Sequence, residues 1–264
     1  MHAIILAAGR GVRLGEVTAE IPKALVRLGG MQLIDHVRGA LRAAGVTACT
    51  VVTGYRAAAV PPEGCGIIHD GAWATTGMIA SLMCARRVIE REDDVLVCYA
   101  DIVFEPQVIN AVMKADRAGV SLPVNTEWLP LWRARMEEPL GDLERLEHDD
   151  GWRITKIGGR PGALTEIAGQ YMGIVRIRGS ARAGICAVYD EAGPRAVTGP
   201  DAWDMTALLQ AYIEHGDPVW GVPVNGGWLE VDTIGDLRLY EGLVTSGAIA
   251  KYCKLRSRSN DGGG

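Results

Sequence analysis

The chain has 264 residues, 48% of them hydrophobic and 22% charged, and its formal net charge is −5. This composition suits a globular protein of one large α/β domain or two small ones, and the negative balance argues against general nucleic-acid binding, which needs a basic face. The apolar runs are far shorter than the ~20 residues that cross a bilayer, so we expect neither a membrane span nor a signal peptide.

The N-terminal stretch predicts a phosphate-binding loop after a strand. The apolar run from Ala3 to Ala8 fits a buried strand of a parallel sheet, and three glycines follow it. Glycines let the backbone turn and approach a ligand, and successive free N–H groups then form a concavity for phosphate oxygens. Arg10, Arg13 and Lys23 add positive charge where a polyphosphate would lie. The glycines are Gly9, Gly11 and Gly15.

The motifs LAAGRGVRLG and IPKAL resemble the N-terminal signature of the nucleotidyltransferases that make sugar nucleotides and CDP-activated small molecules. The resemblance implies an α/β fold with a single doubly wound, Rossmann-like, mostly parallel sheet and a small antiparallel extension. It also implies that Arg13 and Lys23 are catalytic, holding the triphosphate and stabilising the departing pyrophosphate. Further nucleotide contacts would come from Leu6, Ala7, Ala8, Gly9 and Gly11.

The next elements extend a βαβ pattern. A helical pattern ends at Gly45, and the strand at 50–53 follows it, so ligands are expected beyond the strand's carboxyl end. Gly54 opens the loop there and is predicted to contact the nucleotide. Another helix starts at Gly77, where related CTP-using enzymes often have asparagine before a Ser-Leu pair. Ser81 is therefore a candidate nucleotide ligand, the alternative being a serine that bonds the backbone of its own turn.

A carboxylate follows the most convincing buried strand, residues 95–100. Asp101 stands at the carboxyl end of this strand, where side chains of a parallel sheet face the ligand crevice. It resembles the family's magnesium-binding aspartate, although Ala100 replaces the common glycine. The alternative is a helix N-cap, but Glu105 is better placed for that role before a helix that begins at Pro106.

The region from Asn125 to Gly162 is richer in charge and tryptophan, and it predicts an antiparallel hairpin that turns at 149–151. In the related enzymes such an extension covers the acceptor side of the site. By the same resemblance Lys156 would lie near the phosphates of the nucleotide. An exposed lysine on a strand is the alternative.

Two later segments predict acceptor contacts. GQYMGI resembles a segment of the choline-phosphate cytidylyltransferases, and its Tyr171 would line the acceptor pocket or only pack. Trp203 and Asp204 stand at the start of a helix. They would hold a cationic acceptor through the ring face and the carboxylate, the alternative being an acidic residue at a helix N-terminus.

A pair of acids marks the end of the chain's last strand. Glu230 and Asp232 share one face of the strand predicted at 227–233, and two acids on an apolar strand repel each other unless a cation lies between them. The motif WLEVDT, followed by a helix with Asp236, resembles the family's second metal motif. Together with Asp101, both acids are therefore predicted to bind Mg²⁺.

The cysteines predict a reduced protein. The six are scattered without CxxC spacing or nearby histidine pairs, which argues against a zinc site or a disulfide framework. We expect buried free thiols in a cytoplasmic protein. The six are Cys49, Cys65, Cys84, Cys98, Cys186 and Cys253.

We predict one nucleotidyltransferase domain over residues 1–256, with a nucleotide-binding half at 1–120 and an acceptor-binding half at 121–256. The polar, glycine-rich tail at 257–264 is predicted to be disordered. No internal repeat or linker interrupts the domain. A homo-oligomer is compatible with the sequence, and neither nucleic acid nor membrane is expected as a partner.

The motifs MIASL, GQYMGI and WLEVDT together resemble the cytidylyltransferases for phosphocholine and 2-aminoethylphosphonate. The resemblance implies Mg²⁺-dependent transfer of CMP from CTP to phosphocholine, 2-aminoethylphosphonate or a related phosphonate, with release of pyrophosphate. The acceptor oxygen would attack the α-phosphorus in line, so catalysis would rest on positioning and charge neutralisation. The alternatives are a sugar-1-phosphate nucleotidyltransferase using UTP, dTTP or GTP, a molybdenum-cofactor nucleotidyltransferase, and an inactive regulatory subunit that binds nucleotide.

Overall fold

A computed structural model describes residues 1–196 and 202–256, so the predicted tail at 257–264 lies outside the described residues. The strands are β1 (His2–Ala7), β2 (Arg27–Leu28), β3 (Met31–Gln32), β4 (Ala48–Thr53), β5 (Gly66–His69), β6 (Asp94–Tyr99), β7 (Ile102–Phe104), β8 (Val120–Asn125), β9 (Leu146–His148), β10 (Ile154–Ile157), β11 (Gln170–Tyr171), β12 (Ile174–Arg178), β13 (Val219–Val224) and β14 (Trp228–Glu230). The α-helices are α1 (Leu33–Ala43), α2 (Met78–Cys84), α3 (Arg86–Arg91), α4 (Pro106–Lys114), α5 (Leu129–Arg135), α6 (Ala181–Ala192), α7 (Met205–Glu214) and α8 (Ile234–Thr245).

An eight-stranded sheet forms the centre of the molecule. From β5 it continues through β4, β1 and β6 to β12, then to β8, which also pairs with β11 and with β13. All of these strands run in one direction except β11 and β12, which are antiparallel to their neighbours. The predicted mostly parallel sheet is confirmed, and β9 and β10 form the predicted antiparallel hairpin beside it.

Helices cover both faces of this sheet, because the strands are apolar on both sides. Alternate residues of β1 point in opposite directions: Ile5 joins one core with residues of α1 and α4, and Ile4 joins a second core with residues of α2 and α7. Both isoleucines are fully buried. Strands that are buried on both faces belong to a doubly wound fold, and the carboxyl ends of β1, β4 and β6 meet at one edge of the sheet.

One predicted helix is divided in two. The apolar positions from Ile79 to Ile89 predict a continuous helix, but α2 ends before Ala85 and α3 begins after it. The N–H of Ala85 donates to the carbonyl of Leu82 at 2.9 Å, a tight turn that ends α2. Both apolar residues named above still reach the core, so the division leaves the buried face intact.

The prediction of free thiols is wrong for Cys49 and Cys65, which form a disulfide. Cys49 lies in β4 and Cys65 directly precedes β5, and the parallel pairing of these strands brings the two Cα atoms to 4.8 Å. Sequence spacing could not show this contact, because it depends on strand register. The remaining cysteines are free, and of these Cys84 is exposed rather than buried.

Replacing both bridged cysteines by serine is expected to lower the free energy of unfolding by about 3 kcal/mol, because the bridge closes a loop of 16 residues in the unfolded chain. Urea unfolding under oxidising conditions measures the loss, and Cys84→Ser serves as a control that should leave stability unchanged. In reductant, the free energy of unfolding of the wild-type protein should equal that of the Cys49→Ser/Cys65→Ser variant. Equal wild-type stability with and without reductant would contradict the bridge.

Candidate active site

The glycine loop after β1 is shaped by two close backbone approaches. Gly11 has φ of 76°, and a Cβ atom there would lie 2.8 Å from the Cβ and Cγ atoms of Lys23. A side chain at Gly54 would come within 2.7 Å of the Ala8 carbonyl oxygen and 2.6 Å of the Trp73 Cβ. A side chain at either position would displace a neighbour. Gly11 therefore lets Lys23 pack against the loop, and Gly54 lets Trp73 and the Ala8 carbonyl approach the backbone.

A pocket opens between this loop and α2, and we call it the loop pocket. It contains most of the predicted nucleotide contacts, together with Trp73, Thr76, Met78 and Tyr99, which sequence reasoning did not identify. Gly11 and Gly54 do not line it; they shape its wall as described above. The predicted residues that line the loop pocket are Leu6, Ala7, Ala8, Gly9, Lys23, Ser81 and Asp101.

A second pocket adjoins the first, and Met78, Tyr99 and Asp101 line both. We call it the acidic pocket, because six carboxylate side chains line it. The predicted residues there are Arg13, Asp101, Tyr171, Asp204, Glu230 and Asp232. The residues that sequence reasoning missed include Trp132, Asp142, Glu144, Gln170 and Thr206.

Lys23 joins the two predicted metal carboxylates. Its Nζ donates to Asp101 Oδ2 at 2.6 Å and to Asp232 Oδ1 at 3.0 Å, and Arg13 forms an ion pair with the second oxygen of Asp232. Burial by itself would lower the pKa of the Lys23 amine, but the two carboxylates outweigh burial, and the pKa is raised above its usual value. Lys23 is therefore a fixed positive charge between the two acids.

The donor set fits a magnesium ion shared with a nucleotide. The Oδ1 atom of Asp101 is buried and makes no hydrogen bond, so its lone pairs are free to bind a cation. Within residues 1–196 and 202–256 no three His, Cys, Asp or Glu side chains are grouped to hold a metal by themselves. Mg²⁺ commonly takes one or two protein carboxylates and completes its shell with water and substrate phosphates, so Asp101 and Asp232 suffice.

Glu230 lies beside Asp101 and Asp232, but its ion pair is with Arg135 and not with Lys23. Its nearest cation is Arg135, at 3.9 Å. Burial, reinforced by the Asp101 carboxylate, raises the pKa of Glu230 above its usual value. A cation arriving next to it would favour its ionised form.

The strand predicted at 227–233 is shorter than expected. β14 ends at Glu230, so Asp232 does not share a strand face with it. The backbone N–H of Val231 donates to the carbonyl of Asp101 at 3.0 Å, and the N–H of Asp232 turns to the carboxylate of Asp236 at 3.1 Å. The local period-2 pattern failed here because these side-chain and loop contacts replace the strand ladder.

Ser81 does not bond the backbone of its own turn. Its hydroxyl donates to Asp70 Oδ2 at 2.7 Å; both residues are buried, and Ser81 lines the loop pocket. The Gly77 that stands in place of an expected asparagine also has a physical reason. A Cβ atom at Gly77 would lie 2.8 Å from the Ala202 Cβ and 3.1 Å from the Trp203 carbonyl oxygen, so the chain before α7 packs where a side chain would be.

Three of the predicted site residues either have a structural role as well or lie outside both pockets. Asp204 lines the acidic pocket and also caps α7, its Oδ1 accepting the Ala207 N–H at 2.8 Å. Trp203 lines neither pocket described above; its carbonyl accepts the Ile79 N–H at 3.4 Å. Lys156 is exposed on β10 and is not brought together with the other predicted nucleotide ligands.

Trp132, Asp142 and Glu144 were not predicted as site residues. They come from α5 and the segment after it, within the charged, tryptophan-rich region noted in the sequence. That change in composition was the available signal, but it did not say which side chains turn inward. A glycine loop at the carboxyl edge of a mostly parallel sheet, next to the Asp101 and Asp232 carboxylates, is typical of a nucleotide-binding α/β protein.

Comparison with known proteins identifies the class more closely. Residues 3–161 match the MobA-like NTP transferase domain. The chain belongs to this family and is a nucleotidyltransferase, which confirms the predicted enzyme class. Accordingly, the alternative of an inactive regulatory subunit is set aside.

A relative extends the match over most of the chain. The chain is 30% identical over 251 residues to the CTP:phosphoglutamine cytidylyltransferase of Campylobacter jejuni, covering 90% of this chain and 98% of the relative. It is 31% identical over 117 residues to the 2-aminoethylphosphonate cytidylyltransferase of Lancefieldella rimae, covering 41% of this chain and 46% of the relative. The resemblance to such cytidylyltransferases is thereby confirmed.

The fold is shared with a solved enzyme structure. The inositol-1-phosphate CTP transferase of T. maritima superposes with a TM-score of 0.70 at 20% identity, covering 96% of this chain and 97% of that one. Among residues 1–196 and 202–256, no helix is long and apolar enough to cross a membrane.

Proposed function

We propose that the protein is a Mg²⁺-dependent cytidylyltransferase that moves CMP from CTP to a small phosphate- or phosphonate-bearing acceptor and releases pyrophosphate. The observation that carries this proposal is the junction of the loop pocket and the acidic pocket at the Lys23–Asp101–Asp232 bridge. A nucleotide in the first pocket and an acceptor in the second would meet at these charges. The names of the relatives from Campylobacter jejuni and Lancefieldella rimae support cytosine as the base.

The chemistry needs positioning more than proton transfer. A phosphate or phosphonate oxygen is already ionised near neutral pH, so it can attack the α-phosphorus without a general base. Lys23 and Arg13 lie where they can neutralise the triphosphate and the departing pyrophosphate. Asp101 and Asp232 would hold Mg²⁺, which supplies charge neutralisation for the α-phosphate and the acceptor oxygens when bound.

The acidic pocket favours an acceptor that also carries a cation. Beyond the two metal carboxylates it presents Asp142, Glu144 and Asp204 beside the rings of Trp132 and Tyr171. Carboxylates and aromatic faces both attract ammonium groups. An amino-bearing or choline-like phosphate or phosphonate therefore suits the pocket better than a neutral sugar phosphate.

A pyrophosphate-release assay tests the function. CTP, UTP, dTTP, ATP and GTP are each paired with phosphocholine, 2-aminoethylphosphonate, phosphoglutamine and hexose-1-phosphates in the presence of Mg²⁺. Preferred turnover of CTP with an amino-bearing acceptor is expected. Turnover only with hexose-1-phosphates and UTP, dTTP or GTP would favour the sugar-1-phosphate alternative, and no turnover with any pair would refute the proposal.

The pH dependence of acceptor binding reports on Glu144. Burial, with a further contribution from the Asp204 carboxylate, raises the pKa of Glu144 to about 7. A group with a raised pKa is mostly neutral below that value and ionised above it, so attraction for an ammonium group should grow as pH rises from 6 to 8. With CTP saturating, the KM for an amino-bearing acceptor should fall about threefold or more over this range in the wild-type enzyme.

Glu144→Gln is the matched control for this effect. Glutamine cannot ionise, so any pH dependence that remains in the variant belongs to the acceptor's own phosphate or to other groups. The difference between the two pH profiles isolates the carboxylate. Superimposable profiles for wild type and Glu144→Gln would show that Glu144 does not contact the cation.

A further inference from the structure

Arg135, the last residue of α5, is a buried cation behind the acidic pocket. Its side chain is 1% exposed. Its Nε donates to Asp236 Oδ1 at 2.8 Å and its Nη2 to Asp236 Oδ2 at 3.2 Å, a two-point contact with a carboxylate that is itself 3% exposed. The guanidinium also lies over the Trp132 ring, 5.0 Å from its centroid. A charge that is buried this completely requires such a partner.

Asp236 connects Arg135 to the backbone of Asp232, one of the two proposed metal ligands. Its Oδ2 accepts the N–H of Thr233 at 2.8 Å and the N–H of Asp232 at 3.1 Å. A carboxylate that is paired at two points with a guanidinium is a strong acceptor for both N–H groups.

The position of Asp232 depends on these bonds, because the chain has already left the β14 ladder there. β14 ends at Glu230, the Val231 N–H still bonds the Asp101 carbonyl at 3.0 Å, and the next N–H, that of Asp232, bonds the Asp236 carboxylate instead. The Thr233 hydroxyl reciprocates by accepting the Asp236 N–H at 3.1 Å, which closes a capping box at the start of α8. The result is a rigid support for the carboxylate that Lys23 and Arg13 contact.

Arg135 also lies close to two carboxylates that line the acidic pocket. Its Nη1 lies 3.6 Å from Asp142 Oδ2 and 3.9 Å from Glu230 Oε2, and it is buried without a hydrogen bond. The guanidinium thus lies near three carboxylates on different elements: Asp236 on α8 at 2.8 Å, Asp142 after α5 at 3.6 Å and Glu230 on β14 at 3.9 Å.

We infer that Arg135 and Asp236 are positioning residues, which fix the Asp232 backbone so that its carboxylate is held ready for the metal ion. The inference rests on the proposed metal site at Asp101 and Asp232. Contacts of this kind, one step behind a metal ligand, typically change metal affinity or activity by about 10- to 100-fold when they are removed.

Conservative substitutions separate this role from simple packing. In Asp236→Asn only one side-chain oxygen remains, so it can accept either from Arg135 or from the two backbone N–H groups. The amide NH2 takes the place of the other oxygen and, being a donor, cannot accept from the remaining N–H groups. In Arg135→Lys a single ammonium cannot make the two-point contact with Asp236. Both changes keep the approximate volume of the side chain and remove the bonds that orient Asp232.

A second buried arginine provides the matched control. Arg176 makes the same two-point contact with Asp94, at 2.9 and 2.7 Å, on β12 and β6 and away from both pockets. Its side chain is 6% exposed. Arg176→Lys should therefore cost stability in the same way as Arg135→Lys without touching the acid pair.

The experiment measures Mn²⁺ binding by electron paramagnetic resonance on the whole protein in the presence of CTP, with thermal stability recorded for each variant. We expect Asp236→Asn and Arg135→Lys each to raise the Mn²⁺ dissociation constant about tenfold. The double variant should lose little more Mn²⁺ affinity than either single variant, because both substitutions act through the same contact. The kcat at saturating Mg²⁺ should change much less than the Mg²⁺ concentration needed for half-maximal activity.

The outcomes distinguish the inference from its premise. If wild-type protein bound no Mn²⁺, the metal site and the inference would both fail. If wild type bound Mn²⁺ and Arg135→Lys kept the same dissociation constant while losing as much thermal stability as Arg176→Lys, the pair would be merely structural. Should Asp236→Asn not fold, Arg135→Lys alone decides between these results.

Discussion

Asp101→Asn is expected to lower kcat by about 10³-fold while the protein stays folded. Asparagine keeps the shape of the side chain and can still accept the Lys23 ammonium, but it removes the negative charge and the free carboxylate oxygen of the predicted metal ligand. Loss of metal-assisted charge stabilisation costs several kcal/mol, and each 1.36 kcal/mol corresponds to about a tenfold change in rate. Steady-state pyrophosphate release with CTP and the preferred acceptor measures the effect.

The control for this prediction lies on the same strand. Asp94 stands at the start of β6, where it pairs with Arg176, while Asp101 follows the opposite end. Asp94→Asn should leave kcat within about twofold. Asp232→Asn should resemble Asp101→Asn, and the double variant should not multiply the two losses, because both residues act in one site. Full activity of either single variant would remove the two-acid metal site.

Lys23→Met is expected to reduce kcat/KM for CTP by about 10²- to 10³-fold. Methionine retains the apolar stem that packs against Gly11 but removes the ammonium that would neutralise the triphosphate. Because Lys23 bridges Asp101 and Asp232, its loss also leaves two carboxylates close together without their shared cation. Thermal stability without metal should therefore fall, and Mg²⁺ should restore more of it than in wild type.

Lys156→Met is the matched comparison, since Lys156 is an exposed lysine on β10 outside the loop pocket. It should leave kcat/KM for CTP nearly unchanged, whereas a strong loss would support the sequence-based prediction that it contacts the phosphates. For Lys23→Met, a fall in stability with an unchanged kcat/KM for CTP would make Lys23 a structural cation only.

The sequence predicted best where a motif is local. The strand, glycine loop and lysine at the N-terminus follow one another within 25 residues, and the structure places Ala8, Gly9 and Lys23 in one pocket. Asp101 was predictable for the same reason, since a carboxylate directly after a buried parallel strand has only the crevice to face. The mostly parallel sheet was implied by the family resemblance, and the predicted βαβ pattern near the N-terminus agrees with it.

The acceptor side was less predictable, because its side chains converge from distant segments. Glu144 and Asp204 meet in the acidic pocket from the segment before β9 and from the start of α7. Trp132 reaches the same pocket from α5, and its ring stacks on Trp228 at 5.8 Å. Composition indicated an unusual region there, but no period or spacing shows which of several tryptophans and acids turns inward.

The sequence alone thus predicted the fold class, a phosphate-binding loop and the acids Asp101 and Asp232, since the motifs and the family resemblance that they carry depend on neighbours along the chain. Only the tertiary structure decided the rest. The disulfide depends on the register of β4 and β5, and Arg135 meets Asp236 across 101 residues of sequence. Such contacts depend on how separate elements pack, and the contact that orients Asp232 is of this kind.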